Sequence, residues 1–346
     1  ISEEVLAEVK EELMEWGNSG MSIMEMSHRS KIYDGVATEA KQDFIDILNI
    51  PDSHDVLFLQ GGATHQFSMV PLNFGNKENS ADYIVSGSWS KKAVSEALKV
   101  TSINTIASSE DSGFTSAPSP DSWAISKNSS YIHYCPNETI QGVAIHSPPI
   151  TDKPLVADMS SVILSEPIDV SKFSLIYAGA QKNIGPAGLT MVIIEKELMK
   201  MENEALPNIL RYSKHSESDS MLNTPPTFSW YMAGKVFKWV KKSGGLDYFQ
   251  EQNHKKASSL YSFIDSSSFY TNPVSVENRS IMNIPFILAD NNLDTKFLEE
   301  AEQAGLLNLK GHRSVGGMRA SIYNAMPMEG VNQLIDFMKV FEAKYG

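Results

Sequence analysis

A chain of 346 residues is too long for one small core and implies two domains, or one large domain with a smaller satellite. Its 42% hydrophobic and 21% charged residues are ordinary for a globular protein, and a net charge of −13 opposes a nucleic-acid-binding surface. No apolar run reaches the length of a membrane span, and the single cysteine, Cys135, excludes an internal disulfide. A reducing, cytoplasmic location is therefore expected, with an organelle as the alternative if a targeting segment precedes the chain. The acidic opening ISEEVLAEVKEEL reads as neither a signal peptide nor a transit peptide.

Residues 2–16 have helical spacing, with Val5, Leu6, Val9, Leu13 and Trp16 on one face and Ser2 able to cap the start. The pattern returns over 36–49 through Val36, Ala40, Phe44, Ile47 and Leu48, and Pro51 ends it. Six short apolar runs without alternation follow: 56–60, 82–87, 131–135, 154–159, 173–179 and 189–194. Strands of that kind are buried on both faces, which predicts a mainly parallel α/β sheet flanked by helices. Segment 108–130, rich in Ser, Pro and Asp, reads as an exposed loop. Beyond residue 250 the spacing predicts a helix over 245–264, strands near 281–287 and 319–323, and a closing helix over 329–345. The expected division is a large domain over 1–250 and a smaller C-terminal α/β domain over 251–346, with the N-terminal helix able to pack on the latter.

Several segments carry candidate chemistry. In FSLIYAGAQKNIGPAGLTMVII, Lys182 lies between two apolar strands and is flanked by Gly179, Gly185 and Gly188. An amine held there loses its proton readily and can attack a carbonyl; a surface lysine beside turn glycines is the plainer reading. In VADMSS, Asp158 ends an apolar strand, where ligands of open α/β sheets collect, and a carboxylate there can pair with a protonated pyridine nitrogen; a loop or cap aspartate fits equally. VLFLQGGATHQF runs a strand into Gly61, Gly62, Ala63, Thr64 and a helix start, where amides and a hydroxyl suit a phosphate. It lacks the Lys-Ser/Thr ending of a nucleotide loop, which argues against ATP. Trp89 can stack on a flat ring or serve as core, and two His-Arg pairs, His28–Arg29 and His312–Arg313, are joined by Arg319 as candidate anion binders or plain surface charge.

Together these stretches resemble the phosphoserine aminotransferase family of the class-V, fold type I pyridoxal phosphate enzymes. The matching segments are SIMEMSHR (22–29), LFLQGGATHQF (57–67), ADYIVSGSW (81–89), YCPNETIQGVAI (134–145), VADMSS (156–161), YAGAQKNIGPAGLT (177–190), LNTPPTF (222–228) and GHRSVGGMRASIYNAMP (311–327). They span nearly the whole chain in the family's order. The resemblance implies pyridoxal 5′-phosphate as cofactor and no metal. Lys182 is the implied Schiff-base lysine and Gln181 its phosphate-touching neighbour. Asp158 is implied to face the pyridine nitrogen, Trp89 to stack, Thr139 to meet the ring-hydroxyl side, and Ala63 and Thr64 to bind phosphate. Asn223 and Thr224 are implied to be phosphate contacts donated by the other subunit of a homodimer. Arg319 is implied to clamp the α-carboxylate. His28 and Arg29, with His312 and Arg313, are implied to take the distal anion of the substrate.

Two departures stand out. The family opens with an Asn-Phe-x-x-Gly-Pro segment, and this sequence starts after it. Some members carry Arg where this chain has Thr64, so phosphate binding is expected to survive with one fewer fixed charge. The implied activity is reversible amino transfer between glutamate and 3-phosphohydroxypyruvate in serine biosynthesis. The implied partners are small molecules and a second copy of the chain, not nucleic acid or membrane. The rivals are a serine/alanine–glyoxylate type transaminase, which has no use for two His-Arg pairs, a cysteine desulfurase, which needs a mobile exposed cysteine, and a non-catalytic pyridoxal-binding regulator.

Overall fold

The computed structural model describes residues 1–75, 80–313 and 315–346. A seven-stranded sheet forms the centre, in the order β1-β9-β8-β7-β4-β2-β3. Its strands are β1 (His54–Gln60), β2 (Ala81–Val85), β3 (Ile103–Ser108), β4 (Ile132–Tyr134), β7 (Leu155–Asp158), β8 (Leu175–Gly179) and β9 (Leu189–Glu195). Between β4 and β7 a small hairpin joins β5 (Asn137–Glu138) to β6 (Val143–Ala144). A second, three-stranded antiparallel sheet holds β10 (Tyr270–Thr271), β11 (Asn283–Leu288) and β12 (Met318–Ser321). The helices are α1 (Glu3–Glu12), α2 (Lys31–Leu48), α3 (Ala63–Phe74), α4 (Ser88–Ala97), α5 (Lys196–Met199), α6 (Tyr212–Ser216), α7 (Thr227–Ser243), α8 (Gly245–Ser266), α9 (Asp294–Gln303) and α10 (Met328–Tyr345). None of the described helices is long and apolar enough to cross a membrane.

The predicted mainly parallel sheet is present, with one reversal. β9 runs antiparallel to both β1 and β8, while β8, β7, β4, β2 and β3 pair in parallel. Two reversals in succession leave β1 pointing the same way as β8. The carboxyl ends of β1, β2, β4, β7 and β8 therefore lie along one edge of the sheet, the edge at which open α/β sheets bind ligands. β2, β4, β7 and β8 are buried along their whole length, as apolar runs without alternation should be.

The first two helices differ from their sequence reading. α1 stops at Glu12, before Trp16; Val5 and Val9 are buried, but Leu6 is exposed. One residue past Val5 is a rotation of about 100°, which carries Leu6 off the buried stripe. Ser2 does cap the helix, its Oγ accepting from Val5 N at 3.3 Å. α2 starts five residues before the predicted 36, because Ser30 Oγ accepts from Tyr33 N at 3.2 Å and sets the first turn. It packs on α7 through Phe44 and Phe237, 4.9 Å apart. The crossing is close: a methyl group at Gly234 would sit 2.9 Å from Ala40 Cβ.

The small sheet and the helices α8, α9 and α10 share their own apolar cluster, from Ala257 to Phe341. Midway along α8 stands a buried cation, Lys256. Its Nζ donates to the carbonyls of Ile322 at 3.1 Å, Tyr323 at 3.0 Å and Met326 at 3.0 Å. Burial pulls its pKa down to about 8, yet three carbonyl dipoles converge on the ammonium. The turn it holds follows directly on β12. Lys256→Met should strand the carbonyls of Ile322 and Met326, while Tyr323 O keeps its bond from Met326 N at 2.8 Å. We expect a loss of about 2 kcal/mol of stability, at roughly 1 kcal/mol or more per orphaned group, read from denaturant unfolding. A loss below about 0.5 kcal/mol would mean that water replaces the ammonium.

Candidate functional site

The carboxyl edge of the large sheet forms a cleft lined by Gly62, Ala63, Thr64, Trp89, Asn137, Thr139, Asp158, Ser160, Ser161, Gln181 and Lys182. Each lies at the end of a strand named above or in the turn or helix start that follows one. Lys182 follows β8 in a tight turn, in which Gly185 N donates to Ala180 O at 2.7 Å and Ala180 N to Leu189 O at 2.9 Å. Its Nζ donates to Thr139 Oγ1 at 2.6 Å. Burial lowers the Lys182 pKa; the carboxylate of Asp158 opposes that, and the guanidinium of Arg319 adds to it.

Asp158 ends β7, beside β8, and is 6% exposed. Burial raises its pKa, against the hydrogen bonds of Ser160 and the charge of Lys182. Ser160 N and Oγ both donate to Asp158 Oδ1, at 2.9 and 2.6 Å. Among the described residues Oδ2 has no such partner and is left for a ligand. The same Ser160 Oγ accepts from Gly179 N at 3.0 Å, so one hydroxyl ties the aspartate to the turn that bears the lysine.

Trp89 sits in the first turn of α4, and that turn is held by a carboxylate the sequence reading passed over. Glu138 is fully buried, and its oxygens accept from Trp89 N at 2.9 Å and Ser90 N at 2.8 Å. A carboxylate at a helix N-terminus satisfies unpaired amides and meets the positive end of the dipole. Burial raises the Glu138 pKa all the same, against those bonds. Only glycine fits at position 87, since a Cβ there would lie 2.5 Å from Glu138 Cδ. Gln141 completes the clamp, donating to Ser88 Oγ at 2.6 Å and accepting from Ser88 N at 3.1 Å.

Two buried asparagine links join the small sheet to this cleft. Asn183, next to Lys182, accepts from Asn324 N at 3.0 Å. Asn137 donates to Asn283 Oδ1 at 2.9 Å, and Asn283 donates to Tyr323 OH at 3.0 Å. Between these links β12 carries Arg319, whose Nε is buried and has no partner among the described residues. The structure thus gathers Ala63, Thr64, Trp89, Thr139, Asp158, Gln181 and Lys182 into one cleft, with Arg319 near enough to act on Lys182.

The remaining predicted residues do not line this cleft. Asn223 faces a separate depression with Phe58, His65 and His215, and the Thr224 carbonyl accepts from Gln60. His28 is half-buried, while Arg29, His312 and Arg313 are exposed; Ser314 of the same motif lies outside the described residues. Glu138, Gln141, Ser160, Asn183 and Asn324 were missed. The NETIQ segment offers a signal for the first two, hydrogen-bonding side chains set between the apolar residues up to Cys135 and those from Val143 onward. Cys135, which a desulfurase would need mobile, is 1% exposed, and burial raises its pKa.

The donor set suits a flat, anionic, carbonyl-bearing ring. It offers an amine of lowered pKa, a carboxylate with one oxygen free, an indole, and a helix start with a hydroxyl. Comparison with known proteins points the same way. The sequence profile of the family described as aminotransferase class-V matches residues 1–334. The phosphoserine aminotransferase of Hahella chejuensis is 55% identical over 342 residues, covering 99% of this chain and 95% of that one. The solved phosphoserine aminotransferase of Bacillus circulans subsp. alkalophilus superposes with a TM-score of 0.98 at 44% identity, over 100% of this chain and 96% of that one. A pyridoxal-phosphate-bound phosphoserine aminotransferase from Trichomonas vaginalis gives 0.92 at 39% identity, over 98% and 97% of the two chains.

The opposed charges around Lys182 predict opposite pH shifts. Asp158 favours the protonated amine and Arg319 disfavours it. Asp158→Asn should therefore lower the pH at which Lys182 becomes reactive, and Arg319→Met should raise it. The check is the pH dependence of Lys182 acylation in ligand-free protein, followed by peptide mass spectrometry. No shift in either variant would show that burial alone sets the amine.

Proposed function

The chain belongs to the class-V aminotransferase family, and from that premise we propose that it acts as a phosphoserine aminotransferase. It moves an amino group reversibly between L-glutamate and 3-phosphohydroxypyruvate, giving O-phospho-L-serine and 2-oxoglutarate. The reading is carried by Lys182, an amine of lowered pKa in one cleft with Asp158, Trp89 and Thr64. Full-length identity of 55% to a phosphoserine aminotransferase supports it. The setting we assign is serine biosynthesis in the cytoplasm.

When bound, pyridoxal 5′-phosphate supplies a carbonyl that amines attack and a ring that withdraws electrons from the substrate's Cα. Lys182 Nζ would hold it covalently, and the same amine, when free, would move the proton at the substrate's Cα as general base. Thr139 positions that amine. Asp158 Oδ2 would keep a proton on the ring nitrogen, and Trp89 would offer its indole to the ring. Thr64, Ala63 and Gln181 would take the phosphate. Arg319, whose unpaired buried Nε needs an acceptor, takes the α-carboxylate.

The assembly we infer is a homodimer. Asn223 and Thr224 do not line the cleft of their own chain, which supports their serving the phosphate of a second copy. His28, Arg29, His312 and Arg313 supply the pocket for the distal anion, which glutamate and phosphoserine share while alanine lacks it.

Purified protein loaded with cofactor should show a visible absorbance band that bleaches with glutamate and returns with 3-phosphohydroxypyruvate. Lys182→Ala should keep its fold and lose several orders of magnitude in turnover; near-normal transamination would sink the assignment. Mixing Lys182→Ala with Asn223→Ala/Thr224→Ala protein should restore some activity through hybrid dimers, and an active monomer by light scattering would refute the shared site. Arg29→Ala should cost about tenfold or more in kcat/KM for phosphoserine and glutamate, at roughly 1.5–3 kcal/mol per charge-assisted bond. Alanine should be spared. Equal losses for all three amino acids would reduce Arg29 to a structural role.

A further inference from the structure

A phosphate ester carries close to two negative charges at neutral pH, and neutral donors leave that charge uncompensated. At the Thr64 end of the cleft the fixed donors are the opening amides of α3 and the Thr64 hydroxyl. α3 opens with Ala63, Thr64 and His65, without lysine or arginine. Of the described residues that line the cleft, only Lys182 is a lysine or arginine, and its amine is committed to the carbonyl.

A second lysine reaches this point from the neighbouring helix. Lys92, one turn after Trp89 on α4, donates through Nζ to Thr64 Oγ1 at 3.1 Å. The same Nζ lies 5.5 Å from the centroid of the Trp89 ring. Its neighbour Lys91 is engaged elsewhere, in an ion pair with Glu110. Among the described residues no carboxylate pairs with Lys92. A hydroxyl that accepts from an ammonium has its own hydrogen free to donate onward, and the bond is strengthened by the charge behind it. Lys92, Thr64 and an anion at the start of α3 can thus form one chain of hydrogen bonds.

We propose that Lys92 is the charge partner of the cofactor phosphate, acting across the Thr64 hydroxyl and directly when its exposed stem swings inward. This rests on the reading of the cleft as a pyridoxal phosphate site. Lys92 makes good the charge that Thr64 does not bring, and it does so without touching the reacting atoms.

The test is equilibrium binding to enzyme stripped of cofactor, titrated with pyridoxal 5′-phosphate and, separately, with pyridoxal, which has no phosphate. Lys92→Met should weaken pyridoxal 5′-phosphate binding about tenfold, or ~1.4 kcal/mol, and leave pyridoxal binding unchanged. Lys92→Arg should retain most of the affinity, and Lys91→Met should match wild type. The salt dependence of pyridoxal 5′-phosphate binding should be shallower in Lys92→Met. Unchanged affinity in Lys92→Met would overturn the proposal and leave the cofactor assignment standing. Equal weakening for both ligands would overturn it too, because Lys92 would then act through Trp89 and the ring. Wild-type protein that binds neither ligand would instead overturn the cofactor reading beneath it.

Discussion

An amine attacks a carbonyl only after it has shed its proton, and the site depends on how that condition is met at Lys182. Burial disfavours the ammonium, and Arg319 disfavours it further, while Asp158 pulls the other way. The three groups come from three places: the turn after β8, the end of β7, and β12 of the small sheet. A basicity set by opposing charges is sensitive to distance, so these elements must be held in fixed register. Much of the hydrogen bonding around the cleft serves that end.

The register is held almost entirely by neutral groups. Ser160 joins Asp158 to the strand end before Lys182, Asn183 joins the lysine turn to Asn324, and Asn137 joins the β5 hairpin to Asn283. An ion pair at any of these points would fix geometry as well, but its field would reach Lys182 through a medium of low polarity and move the pKa it is meant to protect. Amides and hydroxyls give directional bonds without net charge. The buried cation of the small sheet, Lys256, lies on the far side of the Asn324 turn and is compensated by three carbonyls.

Much of this was legible in the sequence, and the exceptions have physical causes. Strands buried on both faces announce themselves as unbroken apolar runs, so β1, β4, β7, β8 and β9 could be read directly. β3 was not read: unlike β1, the other edge strand, it is only half-buried, and its INTIAS sequence carries too many polar residues to stand out. The start of α2 was hidden because a serine cap is one hydrogen bond, with no periodicity of its own. Lys182 and Asp158 were readable because each sits where an apolar run breaks at a polar residue. Glu138 was not, since its partners are the backbone amides of Trp89 and Ser90, nearly fifty residues away. A contact between a side chain and a distant helix end leaves no spacing to detect.

Glu138 also explains how a helix start can carry the Trp89 indole into the cleft without flexing. The first turn of a helix has unpaired amides and frays unless something accepts from them. Here Glu138 takes two amides and Gln141 a third, and Gly87 makes room by having no side chain. The acceptor is fully buried, so water cannot compete for those amides. Trp89 is thereby fixed at its backbone, while Lys92, one turn further on, stays exposed and free to move. The same helix thus presents to the cleft both a rigid indole and an adaptable charge.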